Sequence, residues 1–145
     1  MRYAANRPVA AVRERFPSRV ITDADSHLQL IRLDGTPAAL HLTHQGNLDA
    51  LGVDARVSTG RLPTGSDDPL LSVAQELSDA VYDWWHGHPP PLVYRTRSVP
   101  SARSMAFTNA TPWDATLSRP LREAAALLAH LVVRHGFSFP PHWLA

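Results

Sequence analysis

Glu14 stands in the segment RPVAAVRERF, flanked by Arg13 and Arg15, near the end of a helix that Pro8 can open. A carboxylate near a helix C-terminus runs against the dipole. Three explanations compete for it: ion pairing with the neighbouring arginines, a surface placement that the fold tolerates, and a functional carboxylate. The other glutamates, Glu76 and Glu123, fall on helix surfaces where solvated charge is the default. A second chemical group is cationic. Residues 92–107, LVYRTRSVPSARSMAF, read as two strands around an arginine-rich connection, and no acidic residue occurs from Trp84 to Trp113. Arg95, Arg97 and Arg103 therefore lack local compensation. Their guanidinium forks suit phosphate or pyrophosphate, with a solvated strand edge as the alternative. Alternation along a strand sends Arg95 and Arg97 one way and Thr96 the other.

The histidines give no metal signature. His86 and His88 bracket Gly87, but no carboxylate follows at a spacing that completes a known site, so no metal ligand is assigned. His130 lies in an apolar stretch and is expected to be hydrogen-bonded and partly buried. All fourteen basic side chains of the Lys+Arg class are arginine, which excludes a lysine nucleophile, a Schiff base and a phosphate-loop lysine. With no cysteine there is no disulfide, thiolate metal site or cysteine nucleophile. Neither a G-x-G-x-x-G loop nor a G-x-S-x-G elbow occurs.

The elements that must position these groups can be read from pattern. Pro8 begins a short helix with Val9, Ala11, Val12 and Phe16 on or near one face, and Pro17 ends it. Residues 27–34 alternate as a strand, and 38–43 predict a second. Residues 45–52 form a helical turn closed by Gly52. A loop is expected over 58–69. Asp68 and Pro69 then open a helix to about Trp85, with Leu70, Val73, Ala74, Leu77, Val81 and Trp84 as its apolar stripe. Strands are expected over 92–96 and 104–108. Ser118 is expected to cap a last long helix over 119–135, which Gly136 ends. The order is helix, strand, strand, helix, strand, strand, helix, which is a mixed α/β or α+β domain with a small mixed sheet flanked by helices.

At 145 residues the chain is one domain, and 44% hydrophobic residues suffice for a core. A net charge of +1 argues against direct nucleic-acid binding. The most apolar run, residues 124–133, is about half the ~20 residues a membrane span needs. The absence of cysteine permits a cytoplasmic location, no membrane partner is expected, and a homo-oligomer remains open.

Tyr3, Ala5, Pro8, Ala11, Glu14 and Phe16 fit a start of the type Y-x-A-x-x-P-x-x-A-x-x-E-x-F. Tyr94-Arg95-Thr96-Arg97 and Met105-Ala106-Phe107 fit a late motif of the type Y-x-S-R followed by A-L-F. Between them, LDALGVDARVSTG and LLSVAQELSDAVYD fit the same pattern's middle. In this order and spacing the chain resembles the RES-domain family, named for Arg, Glu and Ser, over most of its length. The resemblance implies a compact fold similar to ADP-ribosyltransferases with a cleft for NAD⁺, which is substrate rather than cofactor. It implies a toxin of a toxin–antitoxin pair that destroys NAD⁺ by hydrolysis or phosphorolysis, with a cognate antitoxin protein as partner. A degenerate, non-catalytic RES-like binding or regulatory module is the rival. Glu14 would be the catalytic carboxylate, Tyr3 would pack against nicotinamide or ribose, Thr96 would supply the hydroxyl, and Arg97 and Arg2 would hold the pyrophosphate. Two departures stand out. Thr96 occupies the family's serine position, and the family's first strand with its arginine should precede Tyr3, leaving Arg2 as its substitute in an N-terminally short domain spanning 1–145.

Overall fold

The computed structural model describes residues 2–35, 37–54, 69–96 and 98–144. Among the described residues, two small sheets and four α-helices make an α+β domain, as the element pattern predicts. The strands are β1 (Arg2–Ala5), β2 (Gln29–Asp34), β3 (Leu40–His41), β4 (Leu92–Arg95), β5 (Arg103–Phe107) and β6 (Asp114–Pro120). The helices are α1 (Pro8–Arg15), α2 (Gln45–Leu51), α3 (Pro69–Trp84) and α4 (Ala125–His135). The main sheet has the order β1-β5-β4-β3, antiparallel except for the β3–β4 pair, which is parallel. β2 and β6 form a separate antiparallel ribbon.

Local chemistry accounts for the ends of these elements. Pro8 occupies the first turn of α1, where its missing N–H costs nothing, and Pro17 turns Phe16 out of helical geometry. Gly52 and Gly136 take φ +66° after α2 and α4. The N–H groups of Gly136 and Phe137 close on the carbonyls of Val132 and Leu131, which caps α4. The core gathers Val12 of α1, Phe16 just past its end, Ile21 and Leu121 from the connections, Leu128 and Leu131 of α4, and Phe137 and Trp143 near the C-terminus. Truncating a side chain as enclosed as Leu128 or Leu131, both 0% exposed, costs about 2–5 kcal/mol.

Four expectations are corrected. The long helix over 119–135 is shorter: Ser118 and Arg119 lie in β6, opposite Ile31 and Leu30, and α4 begins only at Ala125. Pairing with the distant β2, extended by the Leu121 N–H bond to the Leu28 carbonyl, outweighs the local helical pattern. β1 was not expected at all; it forms because β5 offers it an open edge. In α3, Val81 is buried as its stripe requires, whereas Trp84 is 56% exposed. Leu70, Val73 and Ala74 lie outside the residues whose side chains are described, as do Asp68 and the expected loop through residue 68. The second strand shrinks to Leu40–His41, since only those residues reach β4. Among the described residues no helix is long and apolar enough to cross a membrane.

Candidate functional site

α1 packs against β1, β5 and α4, and this docking carries Glu14 to the sheet. The hydroxyl of Ser104, the second residue of β5, donates to Oε2 of Glu14 at 2.8 Å. Ser104 is 1% exposed, so its hydroxyl has no water to fall back on. A hydrogen bond to a charged group contributes about 1.5–3 kcal/mol, and an orphaned buried hydroxyl would lose a comparable amount. Oε1 of Glu14 has no hydrogen-bond partner among the described residues. The carboxylate is thus held by one oxygen with the other left available.

The register builds a surface around that pair. Ser104 lies opposite Ala5 on one side and Tyr94 on the other, while Ala106 lies opposite Tyr3 and Leu92. Side chains directly opposite share a face, so Tyr3, Ala5, Leu92, Tyr94, Ser104 and Ala106 all lie on the α1 side. Small Ala5, Ser104 and Ala106 let α1 approach. Leu92 and Ala106 also floor a cleft walled by Val81 and Tyr82 of α3 and by Pro89, Pro90 and Thr108. One same-face step along a strand is about 7 Å, which is the distance from Ser104 to the start of that floor.

The residues singled out from sequence do not all arrive there. Glu14 and Tyr3 share the face; Tyr3, on an edge strand, is 68% exposed and free to cover what binds. Thr96 is 3% exposed, but its hydroxyl donates to the Val99 carbonyl at 2.6 Å and accepts from the Val99 N–H at 3.0 Å. It closes the β4–β5 connection and is occupied there. Arg2 lies opposite Phe107, and Arg95 lies opposite Arg103, all on the other face from Ser104. Arg97 lies outside the described residues. Sequence reading missed Ser104 and Tyr94 as site residues. The signal available was the small-residue face of RSMAF, but only the docking of α1 shows what that face is for.

Among the described residues no group of three His, Asp or Glu side chains could hold an ion. His86 and His88 are exposed, and Nδ1 of His88 lies 3.0 Å from the His86 carbonyl across a turn with Gly87 at φ +80°. His130, expected to be partly buried, is exposed and packs edge-on against His135 at 5.2 Å between ring centroids. Solvent reaches it because it lies off the Leu128–Leu131 stripe of α4. Compared with known proteins, the chain matches no family model, no curated protein and no solved structure.

Proposed function

We propose that this chain is an NAD⁺-consuming enzyme of the RES type that cleaves the nicotinamide–ribose bond, acting as the cytoplasmic toxin of a toxin–antitoxin pair. The observation that carries this reading is the Glu14 carboxylate, fixed through Oε2 by buried Ser104 and without a partner at Oε1 among the described residues, on a face shared with two tyrosines. In the reaction the C1′–N bond breaks, its electron pair leaves with nicotinamide, and an oxygen of water or phosphate bonds to C1′ and loses its proton. The passing centre is oxocarbenium-like, and a preorganised carboxylate stabilises it without reorganising. Ser104 keeps Glu14 from rotating away. Tyr3 covers nicotinamide or ribose. Arg2, Arg95 and Arg103 alternate onto the face opposite Ser104, so in this reading none of these three meets the pyrophosphate beside Glu14.

That same placement of three cations away from Glu14 favours a second reading, a RES-like module that binds without catalysis. Free nicotinamide released from NAD⁺ by the purified chain separates the two. Release that disappears in Glu14→Gln supports the enzyme. NAD⁺ binding without any release leaves the binding module, and neither binding nor release removes both.

A further inference from the structure

The far side of α1 carries a second cluster of charge. Nη1 of Arg13 stands 3.5 Å from Nδ1 of His135, joining α1 to the last turn of α4 across 122 positions. The His130 ring packs against His135 from within α4. Arg19 completes the group: its Nη1 lies 3.8 Å from where a Cβ on Gly136 would sit. Arg19 holds this place at φ +60°, a region uncommon for non-glycine residues. Its N–H bonds to the Phe16 carbonyl and its carbonyl accepts the Ser138 N–H, so both sides of the strained residue are pinned.

Four cationic or protonatable side chains thus converge, and among the described residues no carboxylate forms an ion pair with any of them; Asp23 pairs with His142 and Asp34 with Arg32 instead. The basic last turns of α1 and α4 complement their dipoles. Dipoles do not bring Arg13 and His130 onto one imidazole with Arg19 beside it at Gly136. Arg19 and His130 are exposed while Arg13 and His135 are half-buried, so the cluster has an open mouth and a fixed floor.

We infer that Arg13, Arg19, His130 and His135 form a binding site for a phosphate-class oxyanion, separate from the Glu14–Ser104 face. The planar guanidinium of each arginine offers a two-toothed donor set, and each imidazole adds a donor once protonated. Burial and the charges of Arg13, His130 and Arg19 hold His135 below the ordinary histidine range, and a bound anion reverses the effect of those charges.

The test is an NMR titration of His135 and His130 in the full chain, first in sodium chloride and then in sodium sulfate at equal ionic strength. Sulfate is the probe because it does not itself titrate between pH 5 and 8. The His135 pKa should rise by about one unit in sulfate, equivalent to roughly tenfold tighter binding to the protonated form. His27 and His142, outside the cluster, should not move. Arg13→Gln and Arg19→Gln should each at least halve the rise. Calorimetry at pH 6 with inorganic phosphate and with phenyl phosphate then distinguishes a free oxyanion from an esterified one by which binds more tightly. The same His135 pKa in both salts, or an equal rise in His27 and His142, overturns the site.

Discussion

The hydroxyl of Ser104 and the carboxylate of Glu14, 90 positions apart, meet at 2.8 Å where α1 crosses β5. That contact ties helix docking and site geometry to one bond. Ser104→Ala removes the donor from a carboxylate that is itself half-buried. Unfolding free energy should fall by about 1.5–3 kcal/mol, read from urea midpoints. Nicotinamide release should drop about tenfold or more, because the carboxylate gains rotational freedom. Full activity in a destabilised variant would reduce Ser104 to packing.

Glu14→Gln makes the complementary change. The side-chain carbonyl of glutamine still accepts from Ser104, so the urea midpoint should stay near that of the wild type. The negative charge is gone, and release should fall by about 10²–10³, roughly 3–4 kcal/mol of transition-state stabilisation. NAD⁺ affinity should change far less, since the ground-state ribose lacks the full developing charge. An unchanged rate would rule out Glu14 as the catalytic carboxylate.

Thr96→Val separates structure from chemistry on the neighbouring strand. Valine keeps the shape but abandons both bonds to Val99, one donated and one accepted. With Thr96 3% exposed, the loss should be about 1–3 kcal/mol of stability. Activity per folded molecule should hold, measured at a temperature well below the transition. A collapse in rate with stability intact would return Thr96 to the site.

The contrast between Thr96 and Ser104 shows where sequence reading stops. Pro8, Pro17, Gly52 and Gly136 punctuate the chain through their own backbone chemistry, so α1, α2 and the end of α4 were legible. β4 and β5 announced themselves by apolar runs. β1 and β6 did not: RYAA and DATLSRP carry weak strand patterns and become strands only against β5 and β2. Glu14 could be flagged by its awkward place on a helix. Which hydroxyl would face it depended on strand register and helix docking, and neither is written in local spacing. Thr96 followed from motif position, whereas its turn with Val99 followed from a connection whose geometry spacing does not encode.

His135 supplies a pH dependence whose sign can be worked out. Its folded-state pKa lies below the ordinary 6.5, first through burial and then through Arg13, His130 and Arg19. Between that depressed value and 6.5 the unfolded chain binds more protons than the folded one, so stability rises with pH across the window. The contribution is complete above 6.5 and is lost as pH falls through the folded pKa. Asp25 and Asp34 act in a lower range, because hydrogen bonds from Thr22, and from Thr116 and Arg32, hold their carboxyls below 3.8. Urea midpoints at pH 7.5 and pH 5 should therefore differ more for the wild type than for His135→Gln, which cannot titrate. Sulfate should shrink the wild-type difference by lifting the folded pKa, and should leave His135→Gln almost unaffected. Parallel pH profiles for the two proteins in chloride would mean that the Arg13–His135 contact does not govern acid sensitivity.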